Sequence, residues 1–257
     1  NALCKKFEVK NLNDVAILVK NDQTLKLIDS ALKTSHRKIV TTELEKDINP
    51  RSQLYALLLR YFYNNSLNFQ IIIEEFVEYE LLSILKRTEL NEVKRTIVRI
   101  PNTDPSLLVV SFQKISEILF SNLPEGNSKK ILLKTLSNPD ELSSYRPIAN
   151  NEIQLMTLHK SKGLEFDVVF HLNLDDWVLP AKKPTGYINK EQDLNLHYVG
   201  ITRARKFCAL LSSTQRTRNG LSISSAPSEF LYRNGLERQR KNFKVDRNLT
   251  ASSMRAS

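Results

Sequence analysis

The order of apolar and polar positions divides the chain into three textures. Asp14-Val-Ala-Ile-Leu-Val19 is a short, β-branched apolar run, the pattern of a strand buried on both faces. It leads into a helical segment from Gln23 to Leu32, with Leu25, Ile28, Ala31 and Leu32 on one stripe. A strand followed by a helix opens an α/β unit. From Arg51 to Leu136 the period changes. Leu54, Leu57, Leu58 and Tyr61 recur at helical spacing, and so do Phe69, Ile72, Ile73, Phe76, Val77, Leu81, Ile84 and Leu85. Leu108, Phe112, Ile115 and Leu119 mark a third helix and Ile131 to Leu136 a shorter fourth, punctuated by Pro101, Pro105 and the turn Pro124-Glu-Gly-Asn. Strand signals are weak throughout, so the spacing predicts a helical subdomain of roughly ninety residues inserted into the α/β domain. The first texture then returns. Ile153-Gln-Leu-Met-Thr157 alternates as a strand, Asp167-Val-Val-Phe-His-Leu172 forms a second, and Phe207-Cys-Ala-Leu-Leu211 forms a third after a predicted helix from Glu191 to Arg205. No internal repeat is visible. From Arg238 to Ser257 the chain is basic, Ser-rich and poor in apolar residues, the composition of a poorly ordered tail.

Composition narrows the class. At 257 residues, 41% hydrophobic and 26% charged, the chain is long enough for one large or two small folded domains. No apolar run approaches the ~18 residues that span a bilayer, and no charged-then-apolar leader opens the chain. A cytoplasmic protein with no membrane partner is expected. Cys4 and Cys208 stand far apart with no CxxC or Cys/His cluster, so both read as bystanders and no metal site is expected. The formal charge of +10 is unevenly placed: residues 1–180 hold 23 basic and 23 acidic side chains, residues 181–257 hold 15 and 5. A localised basic surplus fits a polyanion partner; equally, it fits a tail that keeps the protein soluble. The start at Asn1-Ala2 resembles the scar of a cleaved tag, and the expectation is a domain excised from a longer protein.

The densest chemistry lies in Thr157-Leu-His-Lys-Ser-Lys-Gly-Leu-Glu-Phe166, a connection between two predicted strands. Loops at the carboxyl ends of strands in an open α/β sheet bind ligands. Two lysines (Lys160, Lys162), a hydroxyl and an imidazole suit phosphate and sugar contacts. Taken alone, the same run is also what a solvated, charged loop looks like.

The order of residues says more. Thr-x-His-x-Ser-Lys-Gly-Leu-Glu-Phe-x-x-Val after an apolar strand closely resembles motif five of the UvrD/Rep-like superfamily 1 DNA helicases. About forty residues on, Leu196-His-Tyr-Val-Gly-Ile-Thr-Arg-Ala-Arg205 resembles motif six of that family. Asp14-Val-Ala-Ile-Leu-Val-Lys-Asn21 looks like motif four, and Ala226-Pro-Ser-Glu-Phe-Leu231 like an element near the end of the motor core. The resemblance implies an α/β fold: the second RecA-like domain of the motor, a P-loop-NTPase-type parallel sheet lacking its own Walker A loop, over residues 3–50 and 149–235. A helical accessory subdomain (51–148) would interrupt it, and a basic tail (236–257) would follow.

The resemblance also implies roles by position. Arg203 falls on the arginine that reaches the γ-phosphate of ATP, and a fixed positive charge there is what phosphoryl transfer requires. Glu165 falls on a glutamate that contacts the nucleotide sugar, with Gly163 beside it in the nucleotide-binding set. Thr157 and His159, with Lys160 and Lys162, fall at the end facing single-stranded DNA, and Tyr198 is read as core packing. The implied activity is ATP-dependent 3′ to 5′ movement on single-stranded DNA or at single/double-strand junctions. ATP and Mg2+ would be the cofactors, with magnesium held mainly by an N-terminal RecA-like domain.

Three departures qualify the match. Lys20 stands where motif four is expected to supply a second arginine to the triphosphate, and lysine lacks the planar bidentate fork. The lead-in to motif six is thinned to Gln192-Asp-Leu-Asn-Leu196. None of the six glycines is followed by lysine, so no GxxxxGK[ST] phosphate loop exists, and this polypeptide alone is expected not to hydrolyse ATP. A degenerate, non-hydrolysing DNA-binding or scaffold subunit is the alternative reading. No cluster of paired carboxylates and lysine follows Leu231, so a fused nuclease finds no support.

Overall fold

The computed structural model describes residues 6–64, 87–218, 221–233, 235 and 238. The chain divides into two compact units. One comprises the residues up to Lys38 together with those from Ile148 onward, and the other comprises Ile39–Pro147.

The first unit is built on a five-stranded sheet. Its strands are β1 (Val15–Val19), β2 (His36–Ile39), β3 (Ile153–Thr157), β4 (Phe166–His171) and, after two short hairpin strands β5 (Lys182–Lys183) and β6 (Gly186–Tyr187), β7 (Ala204–Leu210). A second hairpin, β8 (Gln215–Arg218) and β9 (Leu221–Ser224), follows. The strand order is β2-β3-β1-β4-β7, and β1 pairs in parallel with both β3 and β4, as β4 does with β7. All five residues of β1 are buried, as its unbroken apolar run requires of a strand covered on both faces. Helix α1 (Asp22–Ala31) follows directly, its first turn capped by Asn21, whose side chain accepts from the Thr24 amide.

Strand β2 is absent from the sequence reading, and its composition explains why. It is an edge strand, His-Arg-Lys-Ile, recognisable only by its ion pairs. His36 and Lys38, two residues apart on one face, meet the two oxygens of Asp29 at 3.0 and 2.8 Å, and Arg37 meets Glu152 at 2.7 Å.

The second unit is helical. It contains α2 (Glu43–Lys46), α3 (Pro50–Tyr63), α4 (Arg87–Arg99), α5 (Leu108–Leu119), α6 (Ser128–Ser137) and α7 (Pro139–Ser143). The predicted stripes on α3 and α5 face one apolar core containing Leu54, Leu58, Phe112 and Ile115. Val93 and Ile97, spaced by four on the unforeseen α4, join it. The unit begins before Arg51, because Leu44 is fully buried in the same core and Thr42 forms a 2.6 Å hydrogen bond with the Tyr145 hydroxyl. The apolar run Phe69–Leu85 and nearly all of the basic tail lie outside the described residues. Among the described residues no helix is long and apolar enough to cross a membrane.

Back in the sheet unit, helix α8 (Lys190–Thr202) ends earlier than the predicted Arg205. Arg203 caps it, and Ala204 already pairs with Phe166 in the β4–β7 ladder. The charged pair at the start of β7 masked its strand character. Arg205 binds Asp167 and Asp14, and Lys206 binds Asp167 at 2.8 Å, on the outer strand of the sheet. These bonds, the one from Lys206 first, hold the Asp167 carboxyl below its ordinary range.

Candidate functional site

Parallel register decides where each motif residue falls. Thr157 ends β3 level with Val19, at the carboxyl edge of the sheet, whereas Phe166 starts β4 at the opposite edge, opposite Ala204. The connecting loop therefore travels the length of the sheet, about 20 Å at ~3.3 Å per residue. Its first half folds into tight turns: the Ser161 amide donates to Thr157 O (3.1 Å), the Lys162 amide to His159 O (3.3 Å) and the Leu164 amide to Ser161 O (3.0 Å). The Ser161 hydroxyl is fully buried and donates to Leu158 O at 2.8 Å, so this motif serine is structural. Gly163 has φ +85°, a left-handed conformation that a side chain resists, and open space where a Cβ would stand. Its glycine is thus required by the turn.

Two sets of motif residues result. At the carboxyl edge, Thr157 is buried with its hydroxyl accepting from the Lys160 amide (3.3 Å), and His159 beside it is exposed. Lys162 is exposed further along the loop. At the amino edge stand Glu165 and Arg203, and Gly163 lies in the turn between the two sets. The Phe166 amide donates to Arg203 O (2.8 Å), and Arg203 Nη1 donates to Leu164 O (3.0 Å). Glu165 lies between those two fastened residues, with its own side chain exposed. Arg203 Nε and Nη2 are held by Val199 O and Thr202 Oγ1, both at 3.2 Å. A guanidinium carries five N–H bonds, so this anchoring leaves donors for an anion.

Lys20 does not join that set. It follows Val19 at the carboxyl edge, where its ammonium contacts both oxygens of Asp193 (2.8 and 2.9 Å) and donates to Val178 O (2.6 Å). Asp193 also accepts the Ala181 amide at 2.6 Å. The lysine that stood out as a departure from the triphosphate set is thus the partner of the one carboxylate left in the thinned lead-in to motif six. Tyr198 also departs from its reading: at 67% exposed it packs in no core, because α8 turns that face to solvent.

A buried histidine pair had no sequence signal of its own. His171 Nε2 and His197 Nδ1 are 3.2 Å apart, His197 lies against the Phe230 ring, and His197 Nε2 has no hydrogen-bond partner. Burial pushes both down, His171 to about 3 with the neighbouring His197 adding to it, and His197 to about 4. A legible clue was Gly200 inside a helix: a Cβ there would sit 2.6 Å from His171 Cδ2 and 2.7 Å from Leu158 Cδ2. Burial likewise raises the Cys208 thiol to about 12, which disfavours its thiolate, while Cys4 lies outside the described residues. Among the described residues no group of three or more His, Cys, Asp or Glu side chains is placed to hold a metal ion.

A parallel α/β sheet interrupted by a helical unit, with an arginine fastened to both sides of a loop glutamate, defines a RecA-like helicase motor domain. The family described as UvrD-like helicase C-terminal domain matches residues 44–215, more than half of the chain, and the chain belongs to that family. It is 38% identical over 138 residues to the ATP-dependent DNA helicase Rep of Buchnera aphidicola subsp. Baizongia pistaciae, covering 49% of this chain and 21% of that protein. It is 38% identical over 81 residues to the ATP-dependent DNA helicase Rep of Escherichia coli strain K12, covering 32% of this chain and 12% of the relative. The ATP-dependent DNA helicase PcrA of Staphylococcus epidermidis is 37% identical over 84 residues, again 32% of this chain and 12% of the relative. The matches thus span about a fifth or less of these relatives' lengths.

Proposed function

We propose that the chain is the C-terminal motor half of an ATP-dependent DNA helicase or translocase that moves 3′ to 5′ along single-stranded DNA. The sheet unit is the second RecA-like domain, and Ile39–Pro147 is its accessory subdomain. The observation that carries this reading is the pair of hydrogen bonds, one from the Phe166 amide to Arg203 O and one from the Arg203 guanidinium to Leu164 O, that join Arg203 to the residues on either side of Glu165. They hold the Arg203 guanidinium against the loop backbone that carries the exposed Glu165, at one edge of the sheet.

ATP, bound against a partner N-terminal domain, supplies the phosphoryl group and its charge. Glu165, an acceptor, suits the sugar hydroxyls, and the free donors of Arg203 suit a γ-phosphate. Three intramolecular hydrogen bonds hold the guanidinium in place, so it meets developing negative charge without reorganising. At the far end of the same loop, Thr157, His159 and Lys160, with Lys162 behind them, offer hydroxyl, imidazole and ammonium groups to the strand backbone. A single loop thereby links the nucleotide edge to the DNA edge, a physical route by which closure on ATP shifts the strand. The phosphate cradle and magnesium are contributed by the partner domain, because this chain has no Gly-Lys phosphate loop.

The scaffold alternative rests on Lys20 and on the thinned lead-in to motif six; the ion pair of Lys20 with Asp193 at the carboxyl edge gives that lysine a partner of its own and supports the motor reading.

The test is ATP turnover by the full-length protein with and without single-stranded DNA. DNA-stimulated turnover that falls about a thousandfold in Arg203→Ala supports the motor. Absent turnover with DNA binding intact overturns it in favour of a scaffold, and contaminant-free turnover by the 257-residue chain alone overturns the division of labour. Strand displacement from 3′-tailed against 5′-tailed substrates reads the direction.

A further inference from the structure

Beyond β4 the chain makes a tight turn through Asp175, Asp176 and Trp177, and this turn faces the segment that follows β9. The two are pinned by a bridge between Asp175 and Pro227 and by the Asp176 amide donating to Ala226 O at 2.8 Å. Between them lies a cavity of about 220 Å³ lined by Asp176, Trp177, Ser224, Ser225 and Ala226. That is below the ~300–1,000 Å³ of drug-sized pockets and matches one flat heterocycle better than a whole nucleotide.

Three features of this pocket bear on what it could hold. Trp177 adopts φ +71°, a left-handed conformation that bulky residues rarely take, yet its side chain is not buried by it: the residue is 39% exposed. Among the described residues its indole stacks on no other ring. The Ser225 hydroxyl is buried without a hydrogen-bond partner. An aromatic face left exposed by a left-handed turn residue, over a small cavity, is an arrangement for an outside group.

The surroundings specify its chemistry. Trp177 is bridged to Ala181, which leads into the β5–β6 hairpin carrying Lys182, Lys183 and the 46%-exposed Tyr187. Lys182 is ion-paired with Asp176, and Lys190 lies 4.1 Å from the Tyr187 ring centroid, whereas Lys183 is exposed with no ion pair among the described residues. The turn stands at the carboxyl edge of the sheet, the edge that also bears Thr157 and His159. The excess of basic residues begins at this point in the chain.

We propose that the Trp177 pocket receives one unpaired base of single-stranded DNA, stacked on the indole, with the adjoining phosphate on Lys183 of the β5–β6 hairpin. Stacking is open to any base, and Lys183 acts on the backbone, so the pocket grips the strand without reading its sequence. The inference rests on the single-strand reading above and extends the DNA edge beyond the motif residues.

Trp177 is the chain's one tryptophan, so its emission reports this pocket alone. The chain is titrated with a thymidine homo-oligonucleotide while Trp177 emission and the anisotropy of the labelled strand are followed together. The expected result is quenching with the midpoint of the anisotropy change, and no quenching by an abasic strand of equal length. Trp177→Ala should weaken binding about tenfold and Trp177→Phe by no more than about threefold, as loss and retention of one stacking contact require. Binding seen by anisotropy without quenching, or unchanged affinity in Trp177→Ala, overturns the pocket and leaves the single-strand reading standing. No strand binding by either signal overturns both.

Discussion

The two units of this chain use their polar side chains in opposite ways. In the helical unit several point inward and bond to neighbouring groups there. Arg51 is buried and donates to Ser116 Oγ (3.1 Å), Phe120 O (2.7 Å) and Leu123 O (2.9 Å), neutralising carbonyls beyond the carboxyl end of α5. The Tyr55 hydroxyl shares Ser116 at 2.8 Å, and the Thr135 hydroxyl donates to Glu141 at 2.7 Å. In the sheet unit, His159, Lys162 and Glu165 sit at strand ends facing water. A buried polar group must spend its hydrogen bonds on its neighbours, whereas an exposed one keeps them for a ligand. The difference separates residues that hold the protein together from residues free to act.

The comparison breaks if core and edge positions respond alike. Phe112→Ala empties the centre of the helical core and should lower the unfolding free energy by ~3–5 kcal/mol in urea titrations of the chain. Next in size is the pH response of the buried histidine pair. Both pKa values are depressed, to about 3 and about 4, so the unfolded chain takes protons near pH 6.5 that the folded one refuses. Stability should therefore fall as pH drops from about 6.5 towards 4, by on the order of 2 kcal/mol per histidine at pH 5. His197→Gln should flatten that slope, and an unchanged slope would exclude the pair as its source.

Lys20→Met leaves the largely buried Asp193 without its cation and should cost ~1–2 kcal/mol of stability. The KM for ATP of the full-length protein should stay put, whereas a clear rise would return Lys20 to the nucleotide. Smallest in stability is Glu165→Ala, expected within ~0.5 kcal/mol of wild type because the side chain is exposed. Here the KM for ATP should rise, the reverse of the Lys20 outcome.

Much of the architecture was legible because it is local. The unbroken apolar run of β1 and the alternation of β3 named their strands, and the helical stripes of α3 and α5 named their buried faces. Strand β2 and the start of β7 were not legible, since edge strands carry charged side chains whose partners, Asp29, Glu152 and Asp167, arrive from elsewhere in the chain. The compact helical unit starts at Ile39, ahead of the periodicity that begins at Arg51, for the same reason. Leu44 precedes the helical periodicity, yet its contacts are with the helices that follow. At the site, the motif residues were readable from their order, but Asp193 as the partner of Lys20, and the His171–His197 contact, arise only when α8 lies against the sheet.

The sequence by itself determined the family motifs, the absence of a phosphate loop and the strands and helices with strong local periodicity. Only the tertiary structure decided which edge of the sheet each motif residue occupies. Thr157 and Phe166 are close in sequence yet stand at opposite edges, while Leu164 and Arg203, distant in sequence, are hydrogen-bonded. The physical reason is parallel pairing. In such a sheet, position along the strand is set by register with a partner from another part of the chain, and no local pattern of residues encodes that register.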